Sequence, residues 1–152
     1  MRFCIITALF VQVAACDHGL TPPETPATGT IRAAISYVGA WPSESDIHDL
    51  RFVAMRFVPQ DTADFLQLNR MAISNRLEYN VPNQIIELHN VETGVFLYTG
   101  IAQQFESDLL SWRPLGLYTE NEGAFFVTTG DTSDVSIEVD FANPPTFPPP
   151  GL

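Results

Sequence analysis

The stretch Val135-Ser136-Ile137-Glu138-Val139-Asp140-Phe141 alternates apolar and polar side chains without a fault. Successive residues of an extended chain point to opposite faces, so Val135, Ile137, Val139 and Phe141 share one side. A helical period would scatter those four residues around a cylinder, so the segment reads as a half-buried strand. Just before it, Gly130-Asp131-Thr132-Ser133-Asp134 has turn chemistry, and residues 124–128 are expected to form the strand that pairs with it.

The same period opens the region. In residues 30–38, Ile31, Ala33, Ile35 and Tyr37 share a face, and Gly39 with Trp41-Pro42 ends the run. Residues 42–49 read as a polar loop and 50–58 as a second strand rich in β-formers, stopped by Pro59. Phe65, Leu68 and Met71 have helical spacing behind Asp61 or Thr62, which predicts a short helical turn. Tyr79-Asn80-Val81, 84–89 and 95–105 read as extended. Gly94 can take the positive φ of a tight turn, so 84–89 and 95–105 are predicted to form a hairpin. Residues 112–118 form a further extended segment broken by Pro114 and Gly116. The expectation is an all-β fold: a single small antiparallel β-sandwich of about seven strands, with at most one short helical turn.

The ends of the chain read differently. Arg2 and the apolar run from Phe3 to Val13 lead to Val13-Ala14-Ala15-Cys16, the pattern of a lipobox cleaved between Ala15 and Cys16. The run is about half the roughly 20 residues that a membrane-spanning helix needs. Residues 1–15 are thus expected to be a lipoprotein signal peptide, and Cys16 the site of lipidation. Cys4 would leave with the leader, so the folded domain needs no disulfide. Residues 16–27, with Pro22, Pro23 and Pro26, read as a lipidated, flexible tether. Residues 28–143 form the sandwich, and 144–152 a proline-rich tail. The expected location is the bacterial cell envelope, lipid-anchored and facing the periplasm or the cell surface.

With 18 Asp and Glu against 7 Lys and Arg, the chain carries a formal charge of −11, and every one of those cations is an arginine. Such a surface repels nucleic acid, whose binding depends on cations neutralising phosphates. It is also repelled by anionic headgroups, so lipid on Cys16 is the expected contact with the membrane.

Three segments resemble carboxypeptidase regulatory-like domains, small sandwiches with a transthyretin-like (prealbumin-like) fold. They are Gly29-Thr30-Ile31-Arg32-Ala33-Ala34-Ile35, then Leu88 through Gly94-Val95-Phe96, and the stretch from Asp131 to Val139. Ala33 stands where the family has a second glycine, and the usual Pro-Gly of the central turn is absent. Trp112-Arg113-Pro114-Leu115-Gly116-Leu117-Tyr118 and the ending Val139-Asp140-Phe141-Ala142-Asn143-Pro144-Pro145 are similar to those of bacterial lipoproteins of this type. The resemblance implies a non-catalytic module and supplies no active-site residue.

Little else in the chain carries chemistry. Asp46-Ile47-His48-Asp49 gathers ligand types, with Asp46 and His48 on one side of an extended chain, but a zinc site needs three or four protein ligands. Asp131 and Asp134 are weak candidates for calcium, and the turn lacks the carboxylate pattern of a calcium loop. No nucleophile elbow or phosphate loop is present, and no carboxylate pair stands out for hydrolysis. Trp41, Trp112 and Tyr118 lie near loops, where a ring could stack on a sugar or peptide, with core packing as the plain alternative. The expected role is a membrane-tethered, non-catalytic binding or structural module without a cofactor, having a protein or carbohydrate partner. The alternatives are a subunit that accepts a partner's strand at its sheet edge and, third, a small hydrolase.

Overall fold

The computed structural model describes residues 25–149, so the expected cleavage point at Ala15 and Cys16 lies outside the described residues. Among the described residues nine strands follow one another: β1 (Thr28–Val38), β2 (Asp49–Met55), β3 (Met71–Ile73), β4 (Asn83–Glu92), β5 (Gly94–Phe96), β6 (Tyr98–Gln104), β7 (Trp112–Leu117), β8 (Phe125–Val127) and β9 (Thr132–Asp140). They assemble as one sheet of order β4-β1-β9, a second of order β3-β2-β6-β7, and a short β5-β8 ribbon. The all-β class read from the sequence is the class observed.

The main core lies between the two sheets. From the first sheet come Ile31, Ala33 and Ile35 of β1 with Val135, Ile137 and Val139 of β9. From the second come Leu50, Phe52 and Ala54 of β2, Ile101 of β6 and Leu115 of β7. The intervening residues of β1 and β9 are mostly exposed, so the clean alternation of these strands marks a sheet with one wet face.

The second sheet is covered on both faces. Val53, Met55, Tyr98 and Ala102 point away from the main core into a second cluster with Phe65, backed by Trp112 and Phe147. β6 is consequently buried at every position except its last, and β2 loses its alternation. The covering layer begins at the 3-10 turn Thr62–Leu66, whose N-cap is Asp61. Its carboxylate accepts from the N–H groups of Ala63 at 2.9 Å and Asp64 at 3.3 Å, and the Asp64 side chain accepts in return from the Asp61 N–H. This reciprocal cap satisfies donors that a helix start otherwise leaves open.

Several expectations need correction. The second strand stops at Met55, and Phe57 and Val58 turn into the second cluster. Residues 79–81 are not a strand, because Asn80 takes a φ of +57°. The extended segment before β4 is instead Met71–Ile73, paired with β2. Four 3-10 turns occur among the described residues, at Glu44–Asp46, Thr62–Leu66, Leu68–Arg70 and Glu120–Gly123.

The predicted hairpin across Gly94 does not form. β4 lies antiparallel to β1, whereas Gly94, at a φ of +136°, sends the chain on to pair with β8. The predicted pair of 124–128 with 135–141 is likewise absent. β9 runs parallel to β1, with nine residue pairs from Thr30–Thr132 to Val38–Asp140, so the sandwich is not wholly antiparallel. The turn before β9 explains this. The Thr30 N–H donates to the Asp131 carbonyl, the Gly130 N–H donates to the Thr28 carbonyl, and a Cβ at Gly29 would collide with the Thr128 carbonyl. The 128–131 turn is thus fastened to the start of β1, which delivers β9 alongside it.

The two long sides of the sandwich differ. On one, β7 and β9 close on each other: a Cβ at Gly116 would strike the Glu138 carbonyl and stand 3.0 Å from Val139 Cγ2. On the other, between β3 and β4, cavities of about 390 and 400 Å³ lie along the seam, both lined by Ile73 and Leu88.

Candidate functional site

The three aromatic candidates do not converge. Tyr118 is only 6% exposed, and its ring meets Phe125 edge-on at 5.9 Å, so no face remains for stacking on a ligand. The register shift between Ile101 and Ala102 in the β6–β7 pairing carries the chain round so that Tyr118 points into the core. Trp41 is half-buried at the far end of β1, with ring centroids 4.5 Å from Tyr37, 4.7 Å from Phe141 and 5.2 Å from Tyr79. Trp112 packs over Phe65 at 6.5 Å on the other side of the molecule, with its indole N–H buried and without a partner among the described residues. Tyr118 belongs to the main core, while Trp41 and Trp112 are partly buried against the two clusters.

The polar candidates are also dispersed. Asp46 closes a 3-10 turn, so it is not on an extended chain with His48, and its carbonyl accepts from Gln103 Nε2 at 2.7 Å. The Asp131 and Asp134 side chains are exposed at the start of β9. Among the described residues no group of three or more His, Cys, Asp or Glu side chains gathers that could hold a metal ion.

A groove of about 860 Å³ crosses the wet face of the first sheet, lined by Ser36, Gln84, Ser136, Glu138, Asp140 and Asn143 among others. Some of its polar groups are already engaged. Asn143 Nδ2 donates to Asp140 at 2.7 Å and the Ala142 N–H at 2.9 Å, and these bonds hold the Asp140 carboxyl below its ordinary value. Beside it, Gln84 Nε2 donates to the Tyr37 hydroxyl. Burial raises the Tyr37 phenol to about 12, with the Gln84 bond opposing the rise and the Glu78 charge adding to it. Burial likewise pushes the Tyr98 phenol well above its usual range, and its hydroxyl has no partner among the described residues.

The arrangement with the most recognition chemistry is the outer edge of β4, which the sequence reading did not single out. The Tyr37 N–H donates to the Pro82 carbonyl at 3.1 Å, and the register continues through Ile35–Gln84, Ala33–Ile86 and Ile31–Leu88. In an antiparallel ladder, hydrogen-bonded and non-hydrogen-bonded pairs alternate. Gln84, Ile86 and Leu88 therefore spend their backbone groups on β1, while those of Asn83, Ile85 and Glu87 face outward. No backbone bond outside the strand ladders reaches Ile85 or Glu87 among the described residues.

Ile85 stands on this edge 62% exposed, whereas Ile86 and Leu88 turn inward onto the core. Glu87 lies 3.9 Å from Arg32 and 3.6 Å from His89. A bulge ends the regular edge: His89 and Asn90 together oppose Thr30, with Asn90 at a φ of +57°. Bulges and charges are common guards of sheet edges, and here they leave a short unguarded run centred on Ile85.

The fold and this edge define a small all-β sandwich with one open side. No protein-family model matches the chain, and neither a curated protein nor a solved structure is significantly similar to it.

Proposed function

We propose that this chain is a membrane-tethered lipoprotein of the bacterial envelope, acting as a non-catalytic binding or structural module. The observation that carries the reading is Val13-Ala14-Ala15-Cys16 directly behind an apolar run too short to span a bilayer. The sequence resemblance of the segments quoted above to carboxypeptidase regulatory-like domains is in keeping with this reading.

The way the chain enters the fold fits a tether. Arg56, just past β2, donates to the Glu92 carbonyl at 2.8 Å and the Thr93 carbonyl at 3.2 Å, and Glu92 faces Thr28. The first strand therefore starts at one end of the sandwich, and the Trp41 cluster and the β6–β7 turn lie at the other. A tether of residues 16–27 would reach up to about 35 Å, clear of the headgroups.

Cys16→Ser tests the anchor. The variant should incorporate no fatty acid and accumulate as uncleaved precursor. Processing and release like the wild-type chain would refute it.

The free edge of β4 favours a second reading alongside the first. In it, the module holds its partner by β-augmentation, with backbone groups supplying affinity and neighbouring side chains the selectivity.

A further inference from the structure

We infer that the occupant of the β4 edge is β4 of a second copy of this chain, making one continuous sheet of order β9-β1-β4-β4-β1-β9. This rests on the sheet-edge reading above and names its partner. The edge is self-complementary in one register. With two copies antiparallel and the two-fold axis at Ile85, Ile85 meets Ile85 of the second copy, and Asn83 meets Glu87. Each of these residues already points its N–H and C=O outward, so every such pair can exchange two hydrogen bonds. An apolar side chain that is 62% exposed is thereby covered by its own kind, and an amide meets a carboxylate. The register centred on Glu87 instead sets two carboxylates opposite each other, which is unfavourable.

The charge distribution selects the same edge. Two bodies of charge −11 repel, so copies associate where that charge is locally balanced. Arg32 faces Glu87 across the β1–β4 pair, Arg76 lies with Glu78 and Ile85 along one seam cavity, and Arg56 lies with Glu92 and His89 along the other. Half of the arginines within the described residues thus border this strand. The contact is small beside a standard interface of about 1,600 Å². Pairing is therefore weak in dilute solution and needs a raised local concentration, which confinement to a membrane surface supplies.

Cysteine cross-linking of the full chain in native membranes tests the register, with the wild-type chain as the blank. Hydrogen-bonded partners stand about 5.5 Å apart at Cα, within the span a disulfide bridges. Under mild oxidation Ile85→Cys should form a cross-linked dimer. Asn83→Cys and Glu87→Cys should each stay at the blank level alone, and their double variant should cross-link. All three side chains are exposed, so the substitutions leave the core untouched.

Cross-linking of Glu87→Cys as readily as Ile85→Cys would overturn the register. Absence of any cross-link would overturn the second copy as occupant. In that event, hydrogen exchange at the Ile85 and Glu87 amides separates the two ideas. Slow exchange in membranes, lost on dilution into detergent, would mean that another chain covers the edge. Fast exchange in both would remove the sheet-edge reading as well.

Discussion

Replacing Gly116 with alanine probes the closed side of the sandwich directly. The added Cβ would strike the Glu138 carbonyl and stand 3.0 Å from Val139 Cγ2, and neither group can retreat cheaply. Glu138 and Val139 are held by the parallel pairing with β1, while Gly116 itself is paired with Ile101 of β6. The methyl must therefore push two hydrogen-bonded sheets apart. Overpacking of this kind costs typically about 1–3 kcal/mol. With a urea dependence of about 2 kcal/mol per molar, the unfolding midpoint should fall by roughly 1 M at unchanged slope. Equilibrium urea unfolding followed by far-ultraviolet circular dichroism reads this, with Ser136→Ala on the exposed face of β9 as a near-neutral control. A midpoint for Gly116→Ala equal to that of the control would show that β7 and β9 do not touch, and the closed seam would be wrong.

Two further outcomes follow from burial. Ile137→Asp should abolish the cooperative transition, since it places an unpaired charge in the main core and a domain has only about 5–15 kcal/mol to lose, whereas Glu138→Lys should leave the midpoint nearly unchanged; equal damage from both would reverse the assigned faces. Tyr37 ionises at about 12 in the fold against an ordinary 10.0, so folding favours its neutral form. Its contribution is complete below pH 10.0 and is lost as pH rises towards 12, and Tyr37→Phe should make that part of the stability profile shallower, leaving the slope that the buried Tyr98 contributes. Ultraviolet titration of tyrosinate checks the value, and a Tyr37 that ionised at its ordinary pH would remove the effect.

The legible parts of this fold are those where one face is wet. Alternation in β1 and β9 is visible because their outward residues meet solvent, and it is the clearest sign of the all-β class. β2 and β6 hide the same period because a second layer covers their other face, so Phe52-Val53-Ala54-Met55 reads only as an apolar run. Pairing was legible least. Gly94 and Gly130 signal that the chain turns, but a turn does not name the strand it turns towards, and here long-range packing on β1 overrode both local hairpins. The orientation of Tyr118 was hidden for a related reason: Pro114 and Gly116 suggest a loop nearby, whereas a register shift in the sheet turns that ring inward. The β4 edge has no residue-level mark, since Ile85 and Ile86 are the same residue type and only the pairing register decides which of them faces solvent with free backbone groups.

The parallel join of β1 to β9 also determines how the molecule bears a load. Tension entering at Thr28 and leaving at Asp140 pulls the first and last strands along their own length in opposite directions. The evenly spaced bonds of a parallel ladder then resist together, in shear, rather than opening one after another like a zip. Extension under such a pull is governed by the rate of crossing one high barrier, not by equilibrium stability. A domain held by its leading end would thus yield late and all at once.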